Sequence, residues 1–309
     1  MRTAVFCLRL LAGASAIGGV LWAGQAGPEL SSPLHPYSLK LESFVPSPGR
    51  AMGVLLKVRI NDGRPLRLLL DSGAEHIVLT RTTARAHDLL GGTRLSLIGF
   101  GAMEQAAGAV AIADTVEIGP LAFRNCRVDV VDHKVVEGAD GVLPLALFSD
   151  FLVRLDFPGK VLSLTPYREQ SRDDFRGRFT RALAVNAVLF LKLAVDELHN
   201  GYFLLDTGAA HNALSGRIAR ALGGPGIGAP TKVVHGANGV SRVQAMKALI
   251  HFRTAEQDIT SDDVVLVDLD NMSRYNGLEV SGLLGFPALS RYVVTVNYRD
   301  SLVRMEAAQ

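Results

Sequence analysis

From Met52 onward the apolar positions come in short runs broken by turn residues, a pattern of strands rather than of helices. Residues 54–60 read VLLKVRI, with Lys57 and Arg59 alternating against apolar neighbours. Asn61-Asp62-Gly63 follows as a turn, and then RLLLDSGA. This predicts a β-hairpin whose second strand carries Asp71 at its end. The chain then repeats the design. VNAVLFLKLAV (185–195) runs to a turn around His199-Asn200-Gly201 and into YFLLDTGA, where an apolar run ends at Asp206. LLLDSGA (68–74) and FLLDTGA (203–209) are two copies of one phrase, their aspartates 135 positions apart.

The surroundings of the two copies match as well. His76 and His211 each fall five residues past their Asp, and Leu79 and Leu214 each fall eight past. Short helices are predicted over 80–90 and 215–222. Farther on, GADGVLPLALFSDFLVRLDFPGKVLSL (138–164) aligns with EVSGLLGFPALSRYVVTVNYRDSLVRM (279–305). Gly141 falls on Gly282, Leu143 on Leu284, Asp156 on Asn297 and Phe157 on Tyr298. Each segment ends as two strands around a turn, at Pro158-Gly159 and at Arg299-Asp300. An internal duplication explains all of this, and a repeat outranks local signals in reading a fold.

The rest of the chain divides around the two copies. Residues 1–26 have a basic start, an apolar stretch from Leu10 to Ala23, and small residues Gly24 and Ala26 before a cut site. They read as a secretory signal peptide. An uncleaved membrane anchor is the alternative, although the run is short for a span. Residues 27–50 hold Pro28, Pro33, Pro36, Pro46 and Pro48 and read as an extended leader, a tether rather than a propeptide over a cleft. The first β lobe is assigned to 51–166 and the second to 185–309. Between them, 167–184 is a charged link, with eight charged side chains among the fourteen residues 168–181.

Composition excludes several partners and chemistries. The chain has 32 basic and 30 acidic residues, and Arg2 and Arg9 account for the excess. Without residues 1–26 the charges balance, so nucleic acid is not an expected partner. Only Cys126 lies beyond residue 26, which rules out an intramolecular disulfide there and reads as a small buried residue. There is no HExxH, no CxxC and no G-x-S-x-G, so neither a zinc site nor a serine nucleophile elbow is expected. The glycine-rich GGPGIGA (223–229) follows a helix and lacks a P-loop Lys, so it reads as a loop.

The candidate chemistry is a pair of carboxylates. Two carboxyls brought together share one proton, because like charges at contact cannot both ionise, and such a pair activates water. A bare Asp-Ser/Thr-Gly is weak as a signal, since turns favour those residues. The apolar triplet before it, the Ala after it and the repetition make it specific. The sequence thereby resembles the pepsin and retropepsin superfamily of aspartic peptidases. Ala74 and Ala209 are closer to retropepsins and their bacterial relatives than to pepsins, which place a hydroxyl residue there. DGVLPLAL and SGLLGFPAL resemble the second signature, which packs behind each catalytic loop.

The resemblance covers about residues 51–306 and implies an all-β, bilobal acid-protease fold, one β-barrel from each half with the site at the seam. It implies Asp71 and Asp206 as the catalytic pair. Ser72 and Thr207 would pin the loops across the interface, and Gly73 and Gly208, with Ala74 and Ala209, would form the tight loop backbone. It implies flaps, with Gly99, Phe100, Gly101 and Met103 as first-lobe candidates and Gly236 and Gly239 in the second. No Tyr occurs between Tyr37 and Tyr167, so a pepsin-type flap Tyr is missing. The expected substrate is a peptide or unfolded protein. The expected state is a monomer, exported to the periplasm or medium, without metal or other cofactor.

Two departures bear on activity. Pro144 stands where Gly285 stands in the second copy, and proline fixes φ and removes an N–H. A shifted Asp71 loop would leave a peptide-binding protein without catalysis, the rival reading. A third reading is a protease restricted to one partner. The absence of a hydroxyl at 74 and 209 predicts a less acidic dyad and an optimum at mildly acidic to neutral pH. His76 and His211 read as rings packed beside their loops rather than as bases or ligands.

Overall fold

The computed structural model describes residues 27–46, 51–89, 93–97, 106–167, 179–236, 239–254 and 256–308. Strand Gly53–Ile60 turns through Asn61 and Asp62, both at positive φ (46° and 57°), into strand Leu66–Asp71. Two successive left-handed residues are what a tight hairpin of right-twisted strands needs, and Asn and Asp tolerate that region. Six strands then close on themselves. In order they are Leu121–Val131, Ile77–Thr80, Gly141–Pro144, Leu66–Asp71, Gly53–Ile60 and Ala106–Ile118, the last pairing back to the first. Closure leaves this first barrel without an exposed edge.

The second half repeats the order as Val264–Val267, Asn212–Ser215, Val280–Gly285, Asn200–Asp206 and Val188–Ala194. Its wall continues through Ile250–Arg253 and Asp258–Ser261, and the chain itself passes from there into Val264–Val267. The fold is thus the bilobal, mostly β arrangement that the duplication implies.

Behind the barrels the halves share one sheet. Its order is Tyr37–Lys40, Val161–Pro166, Phe151–Asp156, Tyr292–Asn297, Leu302–Ala307 and Thr180–Val185. Its central antiparallel pair sets Arg154 opposite Thr295, residues that are equivalent under the repeat. The pseudo-twofold axis therefore runs through this pair. The flanking turns match too: Gly159 N–H donates to Asp156 Oδ1 (2.8 Å), and Asp300 N–H donates to Asn297 Oδ1 (2.9 Å).

Several local expectations are corrected. The run 185–195 is not one strand, because Asn186 and Ala187 at φ 47° and 68° turn Thr180–Val185 back onto Val188–Ala194. Residues 180–184, assigned to the charged link, therefore belong to a sheet; 168–178 lie outside the described residues. The next turn sits at 195–199, where Asp196 Oδ1 accepts from the Leu198 and His199 amides. The two early helices are shorter, Arg81–Arg85 and Gly216–Ala221, each opened by a hydroxyl N-cap, Thr80 or Ser215.

The leader is not a tether. Glu29–Leu30 pairs with Leu121–Val131, Tyr37–Lys40 with Val161–Pro166, and Glu42–Phe44 with Gly53–Ile60. Tyr37, Leu39 and Leu41 enter the main core, and Phe44 packs on Leu55 and Leu69. The prolines obscured this alternation of apolar residues, which is what drives the segment into the sheets. Residues 1–26 lie outside the described residues. Among those described, no helix is long and apolar enough to cross a membrane.

Candidate active site

Leu68, Leu69 and Leu70 are buried, as are Phe203, Leu204 and Leu205, so each strand is held by its apolar triplet up to the Asp that ends it. A crossing strand lies parallel beside each, Gly141–Pro144 with Pro144 opposite Asp71, and Val280–Gly285 with Gly285 opposite Asp206. The chain then turns so that backbone amides face the carboxylates. Gly73 N–H donates to Asp71 Oδ1 (2.7 Å). Gly208 and Ala209 N–H donate to Asp206 Oδ1 (3.1 and 2.9 Å).

The two loops are joined by a reciprocal hydrogen-bond set. Ser72 Oγ donates to Leu205 O (2.7 Å) and accepts from Thr207 N–H (3.0 Å). Thr207 Oγ1 donates to Leu70 O (2.9 Å) and accepts from Ser72 N–H (3.0 Å). Both side chains are buried, with 3% and 0% of the residue exposed. Every polar atom of the set is satisfied across the lobe boundary, and a buried polar group left unpaired costs about 1–3 kcal/mol. The glycines bring the carboxyls inward. A Cβ on Gly73 would lie 2.8 Å from Asp206 Cγ, and one on Gly208 would lie 2.5 Å from Asp71 Cγ. Each carboxyl therefore rests over the glycine of the opposite loop, which no residue with a side chain could permit.

Burial raises both carboxyls above the usual range. For Asp71 the Gly73 amide is the largest opposing influence, followed by the hydrogen bond with Asp206. For Asp206 the negative charge of Asp71 adds to burial and carries it well above the ordinary value, and the hydrogen bond to Asp71 adds further. The two carboxyls interact closely enough that they titrate as a unit. Both residues keep part of their surface open to solvent.

Behind the loops the lobes differ. In the second, Asn212 Oδ1 accepts from Gly285 N–H (2.8 Å), while its Nδ2 donates to Ser261 Oγ (2.9 Å) and Asp263 O (3.2 Å). Phe286 N–H donates to Ala209 O (2.9 Å). A Cβ on Gly285 would sit 2.5 Å from His211 O, so that loop is packed closely. In the first lobe Ile77 and Pro144 occupy the equivalent places. Pro144 lies at φ −67° and ψ 133°, ordinary extended backbone for proline, and is buried. The Asp71 loop keeps all its cross-lobe bonds despite it.

Each histidine beside a loop joins an ion-pair cluster. His76 Nδ1 lies 3.3 Å from Asp129 Oδ2, and Arg127 Nε donates to Asp129 Oδ1 (2.9 Å). His211 Nδ1 is 2.7 Å from Asp263 Oδ1, which also accepts from Lys232 Nζ (2.6 Å). Sequence reasoning missed Asp129 and Asp263. Their signal was an acid set against a run of valines, VDVV (128–131) and DDVV (262–265). Cys126 is buried, and burial pushes its thiol up to about 12, so it is no nucleophile.

Gly99, Phe100, Gly101 and Met103 lie outside the described residues, between strands Thr93–Leu97 and Ala106–Ile118, which pair up to Leu97 and Ala106. Gly236 and Gly239 form the last pair of the hairpin Thr231–Gly236 and Gly239–Gln244. Lys232 on that hairpin reaches Asp263, so the hairpin's base is tied to the residue that holds His211.

The family described as aspartyl protease matches residues 56–146 and 191–288, together more than half of the chain, with one of the two aspartates in each segment. A search of curated proteins found no significant match.

Proposed function

Since this chain belongs to the aspartyl protease family, we propose that it is an exported endopeptidase that hydrolyses peptide bonds with a water activated by Asp71 and Asp206. A peptide is the substrate class that the family implies. The observation that carries the finer reading is the reciprocal Ser72–Thr207 hold, with each carboxyl set over the opposite glycine.

The chemistry follows from one proton on two carboxyls. Asp71, ionised, takes a proton from water as the water oxygen attacks the peptide carbonyl carbon. Asp206, protonated, donates to the carbonyl oxygen, giving a neutral tetrahedral diol. Asp71 then passes its proton to the amide nitrogen, a diol hydroxyl returns its proton to Asp206, and the C–N bond breaks. The products are an acid and an amine, and the dyad ends as it began. An extended peptide would lie along the seam through backbone hydrogen bonds, with apolar side pockets. Both half-sites are on one chain, so the active unit is a monomer. Export rests on the composition of residues 1–26; left uncleaved, they would tether the protein to a membrane.

The test is cleavage of an unfolded protein from pH 3 to 8, beside Asp71→Asn and Asp206→Asn. Both substitutions should lower the rate at least a thousandfold, an order of magnitude typical of removing a member of a catalytic unit. A folded wild type that binds peptide but cuts none would favour the reading of a peptide-binding protein, which Pro144 motivates.

A further inference from the structure

An internal duplication exposes whatever breaks its symmetry. Val131 lies opposite Thr80 and Val267 opposite Ser215, which are equivalent positions. Gly141 and Gly282 are likewise equivalent, opposite Leu68 and Phe203. Residues 132–140 join the first two marks and residues 268–281 join the second two, so the second connection is five residues longer. The longer connection carries the helix Asp270–Asn276, closed by Gly277 at φ 61°. Residues 132–140 form no helix.

Tyr275, in the last turn of that helix, donates its hydroxyl hydrogen to Glu75 Oε2 (3.1 Å). Glu75 stands four residues past Asp71, and the second copy has Ala210 there. Two features without a counterpart thus meet across the lobes. They meet on the loop with the poorer backing. The Asp206 loop is backed through Asn212, Gly285 N–H and Phe286 N–H; in the other lobe Ile77 has no polar side chain and Pro144 no N–H.

Resting on the protease reading above, we propose that Tyr275 is a positioning residue, a strap from the second lobe that holds the Asp71 loop where Pro144 and Ile77 cannot. Glu75 is partly buried, and burial pushes its carboxyl upward. The Tyr275 bond, then His76 and Arg127, pull it back, while Asp129 pushes it up again. The bond to Tyr275 favours the ionised form, so the strap tightens as pH rises through the titration of Glu75. Tyr275 is 46% exposed, so its hydroxyl can be removed without opening the core.

The experiment is hydrogen exchange by mass spectrometry on the full chain and on Tyr275→Phe, with kinetics alongside. The variant should exchange about tenfold faster over residues 71–79 and no faster over 206–214, since losing one charge-assisted bond of the several that hold this loop is worth about that factor in its opening. Its kcat should fall about tenfold with KM little changed, because placement of Asp71 matters in the transition state. Glu75→Gln, which keeps an acceptor, should retain more of both properties than Glu75→Ala. Unchanged exchange at 71–79, or equal loosening of both loops, overturns the strap. If exchange changes as stated while even the wild type cuts nothing, the strap stands and the protease reading falls.

Discussion

Ala74 and Ala209 carry a prediction about the pH at which the proposed dyad works. Nothing at either position can donate a side-chain hydrogen bond to the carboxylates, and burial has raised both. The rate should therefore peak at mildly acidic to neutral pH. Ala209→Thr, whose hydroxyl favours the ionised form, should move the whole pH–rate profile toward acid. A wild-type profile still rising below pH 3 would refute this. The same groups load the fold. A carboxyl whose folded value lies above the ordinary 3.8 favours the folded state most below that value. The contribution is lost as pH climbs through the raised folded value. Asp206→Asn removes that loss, so its melting temperature should exceed the wild type's by a few degrees at pH 7. At pH 3 the two should be alike. The residue that the proposed chemistry needs would thus be one that stability alone would discard.

Elements differ in how openly the sequence announces them. Hairpins with an apolar run, an Asn/Asp/Gly turn and a second run were legible, because their signal is local. The duplicated Asp loops were legible because repetition supplies its own control. The turn at Asn186-Ala187 was not, since Ala at φ 68° leaves no compositional trace. The helix Asp270–Asn276 reads DNMSRYN, with no apolar stripe and no buried residue, so nothing periodic marks it. Asp129, Asp263 and Glu75 are linked to the site by His76, His211 and Tyr275, which lie 53, 52 and 200 residues away. The leader was hidden by its prolines, although Tyr37 and Leu39 alternate against Ser38 and Lys40. Its strands make a prediction that a tether or removable propeptide does not. Leu39→Ala should cost about 2–5 kcal/mol in denaturant unfolding, the range for truncating a buried leucine. A midpoint unchanged from wild type would show that the segment is dispensable to the fold.

At the scale of the whole molecule the site and the fold are one problem. Each half supplies one carboxyl, one hydroxyl and one glycine, and none of the three works alone. Ser72 needs Leu205 O, Thr207 needs Leu70 O, and each carboxyl needs the opposite glycine to lie beneath it. The same dependence runs behind the site, where Phe151–Asp156 pairs directly with Tyr292–Asn297 and one buried cluster extends from Tyr37 to Met305. A duplicated site made from two separate chains dissolves on dilution, since its stability includes an association equilibrium. Here the second half is held at an effective concentration that dilution does not touch. Activity per molecule should therefore stay constant over a thousandfold dilution, and sedimentation at each concentration should give a single species with the mass of one chain, 33.0 kDa when residues 1–26 are kept and less when they are removed. Thermal unfolding should show one transition, because neither barrel buries its share of the common sheet without the other. Specific activity that falls with dilution would mean that a second chain completes the site, and two separated transitions would mean that the lobes stand independently.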